Sequence, residues 1–219
     1  MTGTRRLSSR HRVTTGLLCT ATTLTSGLTA APGWASDSAE DANGVYGRFA
    51  GDLDVGFGLG AELSATGAWG ASRWSAHYYS MIGVFAGYCD GLGGPAAPIR
   101  TVSVGSDLRP AFVPRWASDL EQGPGWLDLA ADSISLGLGA FWAQPEGATL
   151  GAQRGLEGSL GLGLPLFASA EGLWLQIRAT LRWPEGSDAT DRAVRPSLML
   201  SLDWHQLLTT GLSTWAEGG

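Results

Sequence analysis

Ser201, Asp203 and His205 follow one another at two-residue steps near the end of the chain, the residue types of an acyl-transfer triad. On an extended strand these steps put all three on one face, with same-face neighbours about 7 Å apart at a rise of about 3.3 Å per residue. That is too far for a serine–histidine hydrogen bond within the strand, so catalysis would need partners from another strand, such as His77 with Tyr79. The plainer reading is a satisfied polar network. Other candidates are weaker. Gly56-Phe-Gly-Leu-Gly60 lacks the following helix of a dinucleotide fingerprint and reads as strand glycine. Asp52 with Asp54, and Asp128 with Asp132, could offer oxygen to Ca²⁺, but no loop has the spaced ligands and turn glycine of a known site. Asp188 and Asp191 beside Arg192 read as a solvated turn. Cys89, next to Asp90-Gly91, has no basic neighbour in sequence to activate its thiol. No catalytic residue, cofactor or metal is expected.

Composition supplies the frame. The 219 residues include 33 Gly, about twice the usual share of roughly 7%. All 14 basic residues are Arg, and the formal charge of −6 argues against a nucleic-acid binder, which needs a basic stripe. With 44% hydrophobic residues the chain is not disordered, and its length suits one domain. Arg5, Arg6, Arg10 and Arg12 precede a modest apolar stretch, Val13 to Ala30, and then Gly33 and Ala35, the small residues a signal peptidase requires. Residues 1–35 are therefore expected to be a secretory signal and 36–45 a linker. Cleavage after Ala35 would leave ten Arg against 20 acids, a single Cys and no intramolecular disulfide. It would also exclude a zinc-finger-type site.

The elements that must position any site are strands. Period-two alternation runs through Leu53–Leu63, Trp74–Cys89, Val102–Phe112, Ser133–Trp142, Leu156–Leu166, Leu173–Trp183 and Leu198–His205. That makes seven strands, most of them about 9–11 residues long, enough to span a bilayer when tilted. Turn-rich segments separate them at Ala65–Ser72, Asp90–Pro98, Gln144–Arg154, Ala168–Glu171 and Glu185–Val194. The segment 114–132, with Gly123-Pro124-Gly125, reads equally as a structured loop, a short helix or an eighth strand.

Alternation alone fits two architectures. A soluble sandwich or lipocalin-like barrel buries the Leu face, binding an apolar ligand there in the second case, whereas a membrane barrel turns that face to lipid. Three features favour lipid. The polar face is dense in Gly (Gly56, Gly58, Gly60, Gly137, Gly139, Gly161, Gly163), which suits a crowded lumen better than an open surface. Trp74, Tyr88, Phe112, Trp142, Trp183 and Trp204 lie near stripe ends, where a barrel places its headgroup girdles. The polar face also carries Asp52, Asp54, Glu62, Asp107 and Asp203 against Arg48, Arg73, Arg109, Arg178 and Arg182, a balance that a buried lumen requires. His77 and His205 join this expected lumen network.

A signal segment, strands such as Ser133-Ile-Ser-Leu-Gly-Leu-Gly-Ala-Phe-Trp142 and aromatic stripe ends make the region Tyr46 to Leu208 resemble small bacterial outer-membrane β-barrel proteins. The Lys-free, Arg-, Ala- and Gly-rich usage is similar to that of high-GC Gram-negative chains such as those of myxobacteria. The resemblance implies an all-β, antiparallel up-and-down barrel of about eight strands over 46–208, a tail at 209–219, export, and outer-membrane lipid as the partner. Loop 114–132 is a candidate for protein contacts. Barrels of this kind have an even strand number, so an eighth strand is expected from 114–132 or from the tail. The family's lipid A deacylases carry a late His-x-Ser pair, whereas His205 is followed by Gln206-Leu207. The implied role is structural or interactive in the envelope, with a lipid-modifying enzyme as a remoter alternative.

Overall fold

The computed structural model describes residues 46–48, 51–91, 98–118, 120, 124–186 and 193–211. The signal and linker segments (1–45), the turn at 188–191 and the tail from 212 lie outside the described residues. Eight strands form one closed antiparallel barrel in sequence order: β1 (Leu53–Ser64), β2 (Gly67–Tyr78), β3 (Ile82–Gly91), β4 (Arg100–Leu108), β5 (Ser135–Gln144), β6 (Gln153–Pro165), β7 (Gly172–Pro184) and β8 (Arg195–Leu208). The pairing of β8 with β1, from Leu53↔Leu208 to Ser64↔Ser197, closes the cylinder and leaves no free sheet edge. Two helices, α1 (Phe112–Ala117) and α2 (Gly125–Asp132), connect β4 to β5.

The eighth strand comes neither from 114–132 nor from the tail. It lies inside the run Trp74–Cys89, which is two strands, β2 and β3, joined at Tyr79-Ser80-Met81. The connection is three residues long, an odd number, so outward positions remain even-numbered on both sides and the alternation crosses the turn without a phase break. The turn contains neither Gly nor Pro. Tyr79 and Ser80 themselves adopt left-handed backbone, φ 47° and 53°, a conformation usually left to Gly, Asn or Asp. The segment Ala65–Ser72 is likewise mostly strand: only Ala65 and Thr66 turn, with the Thr66 amide donating to Ser64 Oγ at 3.1 Å. At the other end of the barrel β4 stops at Leu108, short of Phe112.

The two faces separate completely. Leu59, Val84, Leu138, Leu156, Leu160 and Leu200 each expose half or more of their surface on the outside of the wall. Asp54, Glu62, Arg73, His77, Asp107, Glu157, Arg178, Asp203 and His205 are buried inside it. The soluble alternatives required the Leu face to be interior, and the observed orientation corrects them. The exposed ion pairs of the wall, Asp90–Arg100 (3.3 Å) and Glu185–Arg154 (3.0 Å), lie at one rim.

Inward glycines hold the walls at their spacing. A Cβ on Gly60 would fall onto the carbonyl oxygen of Leu200 and within 2.6 Å of Ser201 Cα, both backbone atoms of the neighbouring strand. Gly60→Val is therefore expected to destabilise the barrel by about 1–3 kcal/mol or to prevent closure, whereas Leu59→Ala, outward on the same strand, should leave folding intact. Urea titrations of the detergent-folded protein, followed by the cold-SDS gel shift of the closed form, would separate the two.

Candidate functional site

The lumen is built in layers. At the end holding the β2–β3 turn it is plugged. Leu129 of α2 is fully buried against Ala170 and Trp174, with Tyr46 and Leu207 beside it. Polar contacts fasten this stopper. Arg48 Nη1 donates to Asp132 Oδ2 at 2.6 Å, Arg115 bridges to Asp128 (2.5 Å) and Asp132 (2.7 Å), and Tyr46 Oη donates to Asp128 at 3.1 Å. Asp128 and Asp132 are one helical turn apart and so both face Arg115. Ser133 ends α2: its Oγ lies 2.7 Å from Ala130 O and accepts the Gly163 amide at 2.7 Å, tying the helix to β6.

Beneath the plug, Asp54 takes Arg109 Nη1 at 2.9 Å and lies 2.9 Å from His205 Nδ1. Asp107 is the hub of the next layer. Arg73 Nη2 at 3.4 Å and Arg178 Nη2 at 3.2 Å both donate to its Oδ2, and His77 Nε2 stands 3.5 Å away. Arg178 also donates to Ser159 (3.0 Å) and Ser135 (3.2 Å), while the Arg73 guanidinium stacks 3.8 Å from the centre of the Phe85 ring. Further along, Arg182 donates to Glu62 through both terminal nitrogens and to Glu157 through Nε at 3.1 Å. Cys89 Sγ donates to Glu62 at 3.0 Å.

Glycine makes these reaches possible. His77 and Asp107 are both register partners of Gly83, on either side of it, and a Cβ on Gly83 would collide with the His77 ring. Gly161 stands in the same way between Ser135 and Arg178. A Cβ on Gly161 would lie 2.6 Å from Ser135 Oγ and 2.9 Å from Arg178 Nη2. Polar side chains thus pair over a bare strand position with the strand beyond.

The sequence-derived site residues are distributed as follows. Asp54, Glu62, Arg73, Asp107, Arg109, Arg178 and Arg182 form the ion pairs above, and His77 stands beside Asp107. Asp203 accepts instead from Ser201 Oγ at 2.5 Å. Asp52 lies at the rim, accepting the amide and hydroxyl of Thr210, each at 2.6 Å. Ser201, Asp203 and His205 do not form a relay, because Ser201 engages Asp203 while His205 engages Asp54 on β1. Arg48 is drawn to Asp132 in the plug. Sequence reasoning passed over Glu157, although it is in phase with the inward Ser159, Gly161 and Gly163. It also passed over Arg115 and the pairing role of Asp128 and Asp132, whose i, i+4 spacing on a helix was the available signal.

Among the aromatic positions, Trp74 and Trp204 are exposed and share Phe57 as register partner, with the Phe57 and Trp74 rings 4.2 Å apart. Tyr88, Trp142 and Trp183 lie outward toward the opposite rim, where Tyr88 Oη donates to Asp90 at 2.7 Å. Phe112 is a correction. It belongs to α1, is 2% exposed, and sits 4.7 Å beneath the Arg48 guanidinium, because β4 ends before the period-two run that suggested it. Among the described residues no group of three or more His, Cys, Asp or Glu converges as a metal site would require.

No family model and no curated protein matches the sequence. Solved structures of similar shape include the crystal structure of Neisserial surface protein A, with 14% identity over 71% of this chain and 96% of that one and a TM-score of 0.41. The crystal structure of Ail, the attachment invasion locus protein of Yersinia pestis, in complex with sucrose octasulfate, is similar at 11% identity over 70% and 96%, with a TM-score of 0.37. A de novo designed protein, TMB2.3, is similar at 14% identity over 72% and 96%, with a TM-score of 0.38.

Removing one partner from a buried ion pair leaves its mate uncompensated and costs about 3–5 kcal/mol. Asp107→Asn strands two arginines at once and is expected to destabilise the barrel at or above that range. Arg154→Gln, which breaks an exposed pair at the rim, should cost under about 1 kcal/mol. Equilibrium unfolding of both variants in the same lipid provides the comparison.

Proposed function

We propose that this chain is a small outer-membrane β-barrel with a structural or surface-interaction role in the cell envelope, acting neither as a catalyst nor as an open channel. One observation carries the reading: in a closed barrel the charges face inward and the outward wall is apolar around the whole circumference. Soluble monomers rarely expose contiguous apolar patches beyond a few hundred Å². A hydrocarbon solvent asks for this arrangement, since barrel closure satisfies every strand backbone and leaves only side chains to meet lipid. Strands of 9 to 14 residues have the required length.

In this reading Tyr88, Trp142 and Trp183 form one headgroup-level belt, capped by the rim ion pairs, and Trp74 with Trp204 belongs to the other. Segment 1–35 directs export. The proposed absence of conductance follows from an eight-strand interior filled by Arg–carboxylate contacts and closed at one end by Leu129. Within segment 114–132, α2 serves first as that plug, and its exposed Trp126 and Leu127 are its contacts with the surroundings.

Two measurements test the proposal. The protein is expected in the Sarkosyl-insoluble envelope fraction, and its mobility in SDS should change on boiling, as closed membrane barrels do. Recovery as a soluble protein with no shift would overturn the reading. Independently, Leu138→Arg places a charge on one of the most exposed wall positions, 66% accessible. In a bilayer it should cost about 2–4 kcal/mol, whereas at a water-exposed position the same change would stay within about 0.5 kcal/mol.

A further inference from the structure

At the end opposite the plug, a cavity of about 660 Å³ lies between the ends of all eight strands, within the range of small-molecule sites. Its lining departs from the rest of the lumen. Beside Glu62, Arg182 and Gln153, the mouth presents Trp69, Cys89, Phe141 and Ala143, all less than a tenth exposed, with Pro98 and Val194 at the edge. Trp69 is fixed in place by its indole N–H, which donates to Pro98 O at 2.8 Å. Cys89 and Phe141 also meet the ion-pair layer beneath, through Glu62 and the Arg182 guanidinium, and still border the cavity.

The charge arrangement is also incomplete. Arg195 on β8 is the direct register partner of Arg182 on β7, and both face inward. Like charges directly opposite on adjacent strands repel. Arg182 takes both nearby carboxylates, Glu62 and Glu157. Arg195 has a neutral partner, donating to Gln153 Oε1 at 2.7 Å, and among the described residues no carboxylate reaches it. A cation held beside another cation, at the edge of an apolar cavity, is complementary to a ligand with one acidic group and an apolar body. We propose that the mouth is a binding cup for an amphipathic anion, with its acidic head on Arg195 and its apolar body against Trp69 and Phe141. The proposal goes beyond the envelope role and requires only the barrel and its mouth, not a particular membrane.

The probe is 1-pyrenebutyrate, an aromatic body with a single carboxylate, equilibrated with the full chain in phosphatidylcholine nanodiscs against empty nanodiscs. Saturable uptake at one site per barrel is expected. Arg195→Gln should weaken it about tenfold or more through loss of a charge-assisted hydrogen bond, and Arg195→Lys should restore most of it. Val194→Trp, a substitution at an exposed rim position, should obstruct entry. The uncharged 1-pyrenebutanol should not distinguish the Arg195→Gln variant from the natural protein. Uptake no greater than that of empty nanodiscs, or saturable uptake indifferent to both Arg195 and Val194, would overturn the assignment. The heat-dependent gel shift of each variant reports barrel closure separately, so a failed cup and a failed barrel give different results.

Discussion

An eight-stranded cylinder leaves an interior wide enough for side chains but not for bulk water. A carboxylate on an inward position must therefore find its cation across the lumen, and Asp107 shows how closely that requirement is met. Its Oδ2 is reached by arginines from β2 and β7, and its other oxygen faces Gly137. Neither guanidinium could arrive if intervening strands carried side chains at the same level. The glycine richness of the inner face and the sharing of carboxylates between arginines are thus one constraint seen twice. The network needs long side chains, long side chains need gaps, and the gaps are Gly83 and Gly87 on the side of Arg73 and Gly137 and Gly161 on the side of Arg178.

The same constraint explains why the conventional roles of polar and apolar residues are reversed. Burial of the outer leucines is not available as a driving force inside the barrel, so the interior is held by hydrogen bonds and ion pairs in a low dielectric, where incomplete pairing is costly. Backbone closure through β1 and β8 supplies the continuous ladder, and the outer wall is left to its solvent. The ionised pairs that do face outward, Asp90–Arg100 and Glu185–Arg154, gather at one rim. Their position near Tyr88, Trp142 and Trp183 gives the outer surface a polar boundary above an apolar band, the order of solvents expected across a bilayer interface.

Much of this was legible in the sequence because period two is a strong signal and the faces differ in kind. Which residues point inward followed from parity alone: Asp54, Glu62, Arg73, Asp107, Arg178, Arg182 and Asp203 all lie on the face their alternation indicates. Parity also concealed what was missed. The turn Tyr79-Ser80-Met81 preserves phase and lacks the usual turn residues, so β2 and β3 read as one strand. Phe112 continued the phase of β4 into a helix. Pairing could not be read at all, because it depends on which strand lies beyond a glycine. Arg48 thus appeared to balance a lumen acid, whereas the fold delivers it to Asp132 in a segment with no period-two signal.

The two ends of the barrel show what that pairing rule does when it is completed and when it is not. At the plugged end, Arg48 and Arg115 meet Asp128 and Asp132, and an apolar residue, Leu129, fills the remaining space. At the opposite end the inward-facing described residues again include two arginines, Arg182 and Arg195, and two carboxylates, Glu62 and Glu157. Here one arginine takes both carboxylates, and the apolar residues Trp69 and Phe141 border space and do not fill it. Electrostatic pairing in the deeper layers stabilises the barrel without help from outside. At the mouth, among the described residues, Arg195 has only a neutral partner beside the cavity, and on the proposal above the acid of a ligand completes the pairing.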